Sequence, residues 1–127
     1  MRFKQKKGFT LVELLIAVFI LSGAISGVLL LYTTSIVSSQ QAWDTTVATS
    51  HGEHVLEEML ARDTLDSVLA VNWEGWVVGQ RLNSLPDEVI KVTFADPDSD
   101  PLEVEVRIDW LRKSRIHNVT LNSKITK

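Results

Sequence analysis

The sequence predicts an α+β fold: a long N-terminal helix, membrane-spanning in its first half, packs by its second half on a small antiparallel sheet of three C-terminal strands. Three observations support this prediction. Residues 9–32 form an apolar run with a single charge, residues 33–61 keep a partial apolar stripe at helical spacing, and residues 102–110 alternate strictly between apolar and charged side chains. The apolar run is long enough to cross a bilayer, and the alternation is typical of a half-buried strand.

The composition limits the classes of protein that the chain can belong to. With 127 residues it is long enough for one domain, and its 45% hydrophobic and 23% charged content excludes a disordered chain. It contains no cysteine, which excludes disulfides, thiolate metal sites and cysteine nucleophiles. A net charge of −3 argues against nucleic acid as a partner.

Charge is distributed unevenly about the apolar run. The leader, residues 1–8, has four Lys or Arg and no acid, whereas the chain from Thr33 onward has nine basic and fifteen acidic residues. Because basic flanks stay on the cytoplasmic side of a membrane, we expect the acidic C-terminal part to lie on the opposite side. A plain signal anchor would explain this pattern as well.

Glu13 does not fit a plain anchor. It is the one charged residue between Phe9 and Tyr32, and an ionisable side chain within a span usually has a function and a partner. Gly23 and Gly27 add a small-xxx-small pair, which is compatible with close helix packing and equally with chance.

Residues 6–17, KKGFTLVELLIA, resemble the class III signal of the type IV pilin family, which includes the pseudopilins of type II secretion. That signal is a short basic leader ending in Gly, followed by Phe and by a Glu at the fifth mature position. The resemblance implies that a prepilin peptidase cuts between Gly8 and Phe9 and methylates the new amine of Phe9. It also implies that Glu13 pairs with that amine on a neighbouring subunit during assembly.

The resemblance further implies partners and a location. The partners are other pilins or pseudopilins in a hetero-oligomeric filament, the prepilin peptidase/methyltransferase and the bacterial inner membrane. The N-terminus would be cytoplasmic and the head periplasmic, and the expected divisions are a leader 1–8, a transmembrane and filament-core helix 9–32 and a head 33–127. The first helix lacks the proline of many major pilins, and the chain lacks their disulfide loop. Both absences favour a minor pilin or pseudopilin.

Two interpretations of residues 33–61 stay open. Ser50-His51-Gly52-Glu53 has capping-box spacing, which allows a break near Gly52. The alternative, favoured by the resemblance, is one continuous helix from Phe9 to about Arg62. Its predicted apolar stripe contains Val47, Val55, Leu56, Met59 and Leu60.

The segment between the long helix and the sheet is predicted as a short helix and a loop. The short helix would start within residues 63–66 and run to Val71. Residues 72–86 contain Trp73, Gly75, Trp76, Gly79 and Pro86 and are predicted as a connecting loop whose tryptophans fill a small core rather than form a binding surface.

The C-terminal third is predicted as a three-strand meander with strands 88–95, 102–110 and 116–125 and turns at 96–101 and near Lys113-Ser114. The expected inward residues are Leu102, Val104, Val106, Ile108, Trp110, Val119, Leu121 and Ile125. The second half of the long helix would cover this apolar face, because a sheet this small is not stable alone. Residues 104–110 followed by residues 117–121 also resemble, less specifically, the end of PilV-type minor pilins.

Two sets of side chains resemble metal ligands weakly. His51, His54 and Glu58 could share a helical face, but no H-E-x-x-H pattern is present. Asp96, Asp98 and Asp100 resemble the first three ligands of a calcium loop and stay weak metal candidates.

An EF-hand is excluded, because Pro101 and Arg107 occupy the positions of its glycine and its bidentate glutamate. The sequence has no phosphate-binding loop and no nucleophile elbow. We therefore predict no catalytic residue and no cofactor.

The leading interpretation is a minor pilin or pseudopilin, a non-catalytic subunit of a type IV pilus that assembles from the inner membrane after cleavage. The alternatives are a minor pseudopilin of a type II secretion system and, from a different class, a signal-anchored periplasmic enzyme or metal-binding domain. The Gly8–Phe9 junction and Glu13 favour the pilin interpretation, because a plain anchor needs neither.

Overall fold

A computed structural model describes residues 8–126 and confirms an α+β fold with one long helix and a three-strand antiparallel sheet. The elements are α1 (Leu11–Leu60), α2 (Leu65–Leu69), α3 (Trp73–Gly79), β1 (Val89–Phe94), β2 (Leu102–Arg112) and β3 (Arg115–Ile125). The chain divides into an N-terminal unit that ends at Gln40 and a second unit, here called the head, that begins at Gln41.

α1 is continuous, so the break considered near Gly52 does not occur. Gly52 is buried, and a Cβ atom there would lie 2.9 Å from Ile108 Cδ1 and still nearer to Leu121 Cδ1. The glycine therefore allows α1 to approach β2 and β3 closely. The packing gained in this way offsets the low helical propensity of glycine.

Replacing Gly52 with leucine should destabilise the head, because four added carbons would enter the space of two packed side chains. We expect a loss of about 2 kcal/mol or more in the free energy of unfolding. Gly79→Leu is the matched control, since a Cβ at Gly79 would meet nothing within 4 Å. The melting temperature of each full-length variant in detergent, followed by near-UV circular dichroism, would test this; equal melting temperatures would contradict the close approach.

The sheet has the order β1-β2-β3, with β2 paired to both neighbours. Val106, at the centre of β2, lies opposite Val92 on β1 and Leu121 on β3. The predicted alternation is confirmed: the five apolar residues within 102–110 are buried, whereas Glu103, Glu105 and Arg107 are exposed and Asp109 is half-buried. The inward residues form one core with α1, α2 and α3, whose buried apolar members are Ala48, Val55, Met59, Val68, Trp73, Val77, Leu85, Ile90, Leu102, Val104, Val106, Ile108, Trp110 and Ile125.

The turn between β2 and β3 is the predicted pair Lys113-Ser114. Both residues have positive φ, 50° and 61°, as a type I′ turn requires. This tight turn lets both strands extend further than predicted, so β2 ends at Arg112 and β3 begins at Arg115.

The helical stripe is only partly as predicted. Val55 and Met59 are buried, but Leu60 is 50% exposed, because it lies one residue past Met59 and so about 100° around the helix. The buried face runs instead through the small residues Ala48 and Gly52.

The predicted loop over residues 72–86 is wrong in its first half, where α3 forms. The Asn72 side chain accepts a hydrogen bond from the Gly75 N–H at 3.2 Å and caps this helix. Gly75 and Gly79 are typical of a loop in the sequence, but neither glycine has a positive φ in the structure. Trp73 is buried in the core, as predicted, and its indole N–H donates to the Val68 carbonyl at 2.8 Å.

The predicted short helix is confirmed as α2, which ends two residues before Val71. Thr64 is its N-cap, and the Thr64 hydroxyl accepts a hydrogen bond from the Ser67 N–H at 3.2 Å. The Ser67 hydroxyl accepts in turn from the Thr64 N–H, which completes a capping box.

Candidate functional site

The candidate junction Gly8–Phe9 lies immediately before α1. Thr10 Oγ1 accepts a hydrogen bond from the Glu13 N–H at 3.2 Å, and the Thr10 carbonyl accepts from the Leu14 N–H at 3.1 Å. Thr10 is therefore the N-cap of a helix that starts two residues after the junction. The basic residues of the predicted leader lie outside the described residues.

Glu13 lies in the first turn of α1, where the partial positive charge of a helix N-terminus favours a carboxylate. It is exposed, and none of the ion pairs within residues 8–126 involves it. The carboxylate is therefore available to a positive group on another molecule.

The first part of α1 is apolar and exposed around its whole circumference. Every residue from Gly8 to Trp43 is exposed, and within residues 8–126 α1 is the one helix long and apolar enough to cross a membrane. None of its apolar window is buried, which distinguishes it from the core helix of a soluble domain.

Small residues give part of this helix a flat surface. A Cβ at Gly23 or Gly27 would meet nothing within 4 Å. The Ser22 hydroxyl donates to the Val18 carbonyl at 2.8 Å, and the Ser26 hydroxyl donates to the Ser22 carbonyl at 2.9 Å. The serines thus satisfy their hydrogen bonds within α1 and can contact another apolar surface without loss.

Residues 3–31 match the family model described as the prokaryotic N-terminal methylation motif. The chain carries a prepilin signal. This signal, together with the long apolar helix, supports a type IV pilin-like or pseudopilin-like precursor and fits membrane anchoring. No curated protein and no solved structure shows significant similarity to this chain.

The match covers Gly8, Phe9 and Glu13 but ends at residue 31, far from the β2–β3 hairpin. The resemblance of that hairpin to PilV-type minor pilins therefore stays a prediction. So do the roles that the sequence assigns to the three residues of the junction and first turn.

The head does not bring the His51 and His54 side chains together at one site. His51 Nδ1 lies 2.5 Å from Glu88 Oε1, whereas the His54 ring packs on Trp76 with a centroid distance of 5.6 Å. The Glu88 side chain is fully buried, and its second oxygen accepts a hydrogen bond from the Leu85 N–H at 3.0 Å. The two histidines thus hold α1 against the segments before β1 and in α3.

Asp96, Asp98 and Asp100 lie in the turn between β1 and β2, as predicted. The Asp98 N–H donates a hydrogen bond to Asp96 Oδ1 at 3.1 Å. One carboxylate oxygen of Asp96 therefore stabilises the turn. Within residues 8–126 no group of three His, Asp or Glu side chains is placed to hold a metal ion.

Sequence reasoning did not find the buried ion pair between α1 and β2. Asp44, 2% exposed, accepts two hydrogen bonds from the Arg112 guanidinium, at 2.7 and 2.8 Å. These hydrogen bonds and the attraction between the charges raise the pKa of Arg112, and partial burial opposes the rise. The one available signal was an acidic residue at position 44, four residues before Ala48 on the buried face of α1.

Proposed function

We propose that the chain is a minor pilin or pseudopilin, a non-catalytic subunit of a type IV pilus. The observation that carries the proposal is the prepilin signal at residues 3–31, which includes the first part of an apolar helix whose residues are all exposed as far as Trp43. An exposed apolar helix needs lipid or other helices around it. A pilin subunit is surrounded by lipid in the membrane and by other helices in the filament.

In this proposal the peptidase cuts between Gly8 and Phe9 and leaves Phe9 as the mature N-terminus. The new ammonium group then lies one residue before the N-cap Thr10 and four residues before Glu13. Glu13 pairs with the Phe9 amine of an adjacent subunit, because a carboxylate in hydrocarbon needs a positive partner. The head is periplasmic before assembly and is displayed on the filament afterwards.

Processing provides the direct test. Intact mass spectrometry of the protein from membranes that contain a prepilin peptidase should show loss of Met1 to Gly8 and the gain of one methyl group. Gly8→Val should remain full length, because a bulky side chain at the junction blocks the cut, whereas Gly23→Val, within α1, should be processed normally. A mature wild-type protein that retains Met1 would refute the proposal.

A further inference from the structure

The turn between β2 and β3 is a basic tip at one end of the head. Lys113 and Arg115 are exposed there, and neither belongs to any of the ion pairs found within residues 8–126. Their neighbour Arg112 is held by Asp44, which fixes the base of the tip on α1. The tip therefore presents two unpaired positive charges on a rigid turn.

The opposite end of the sheet is acidic. The register places the β1–β2 turn there, because Phe94 lies opposite Val104, whereas the basic tip closes at the Arg112–Arg115 pair. This turn exposes three aspartates without ion pairs in the described chain, namely Asp96, Asp98 and Asp100. The two turns at opposite ends of the sheet therefore carry opposite charge.

We propose that the basic tip of one copy docks on the acidic β1–β2 turn of a second copy, head to tail. The proposal rests on the proposed function and adds a contact between heads to it. Copies related by translation have the same orientation, so their N-terminal helices run in the same direction, as helices inserted from one side of one membrane do. Eleven residues of β2 separate the two ends by about 35 Å, which sets the spacing of the contact.

The charges of the two turns determine the orientation and register of neighbouring heads more than the affinity between them. Exposed ion pairs are individually weak, but complementary ends attract while two basic tips or two acidic turns repel. Confinement of the subunits in one membrane raises their effective concentration, so a weak contact is enough. Because the charges are exposed, the contact should weaken as salt is raised.

The absence of native cysteine allows a clean cross-linking test. Ser114→Cys marks the tip and keeps Lys113 and Arg115; Ser99→Cys marks the acidic turn and keeps its aspartates. Full-length copies with different tags are mixed in phosphatidylcholine vesicles and oxidised with copper phenanthroline. We expect the mixed disulfide at least three times more often than with Ser84→Cys, an exposed control, and a clear fall between 50 and 500 mM NaCl. Equal yields with both partners would overturn the proposal.

Charge reversal tests the chemistry of the contact. Lys113→Glu with Arg115→Glu on the Ser114→Cys copy should lower the mixed disulfide at least threefold. Asp98→Lys with Asp100→Lys on the partner copy should restore it. The proposal would be overturned if the reversal at the basic tip left the yield of mixed disulfide unchanged. It would also be overturned if the reversal at the acidic turn did not restore that yield.

Lys91→Glu is the matched control, because it reverses an exposed charge on β1 away from both ends and should leave the yield unchanged. Cleavage after Gly8 is measured on the same variants in membranes that contain a prepilin peptidase. A processed protein without the mixed disulfide would refute the head contact alone, whereas an unprocessed protein would refute the proposed function.

Discussion

Glu13→Gln should separate assembly from insertion and processing, with the largest loss in assembly. The glutamine keeps the shape of the side chain but cannot carry a negative charge to the amine of an adjacent Phe9. The backbone cap should survive, because Thr10 Oγ1 accepts from the N–H of residue 13 and not from its side chain. A neutral amide costs less in hydrocarbon than a carboxylate, so insertion should be unimpaired.

Three measurements on this variant distinguish the interpretations. Carbonate extraction should show normal insertion, and intact mass should show normal cleavage after Gly8. Recovery with partner pilins in sheared filaments should fall at least tenfold. Glu53→Gln, an exposed glutamate on the same helix within the head, is the matched control and should assemble normally. Wild-type recovery of the Glu13 variant would show that this carboxylate has no partner in another subunit.

Val106→Asp should abolish a stably folded head. Val106 is fully buried at the centre of β2, between Val92 and Leu121 on the neighbouring strands. A carboxylate there has no positive partner, and an uncompensated buried charge costs about 3 to 5 kcal/mol. That is much of the total stability of a small domain, which is often about 5 to 15 kcal/mol.

The neighbouring residue supplies the control for Val106. Glu105 points to the opposite face of β2, is exposed and forms none of the ion pairs in the described chain, so Glu105→Lys should change stability by about 0.5 kcal/mol or less. Limited proteolysis and near-UV circular dichroism of the full-length variants would measure both effects. Similar damage from the two substitutions would mean that the faces of β2 are assigned wrongly.

The parts of the fold that follow from local patterns were predictable from the sequence. The strict alternation over residues 102–110 requires one buried face, and the five apolar residues of this run are all buried. The apolar run before Thr33 must be helical if it lies in a membrane. In hydrocarbon, only a helix or a closed barrel satisfies all backbone hydrogen bonds. The prepilin signal is likewise a contiguous pattern, so the candidate junction could be located without a structure.

Features that depend on distant partners were not predictable. Asp44 and Arg112 are 68 positions apart, and His51 and Glu88 are 37 apart, so no local spacing connects them. The sequence also leaves the role of Gly52 open, because a glycine in a helix signals either a break or a close approach, and only the packing partner decides which. The same ambiguity made Gly75 and Gly79 resemble loop residues although both belong to α3.

The ion pair between Asp44 and Arg112 has a consequence for how uniquely the head is packed. Within the described chain, Asp44 is the one charged residue on the buried face of α1. A slip by one helical turn would carry the carboxylate about 5.4 Å away from the guanidinium and leave both charges uncompensated. The pair thus adds an electrostatic penalty to any shifted position of the helix, beside the steric one at Gly52. The proposed contact between the basic tip of one head and the acidic turn of another therefore depends on the one position of α1 that this ion pair favours.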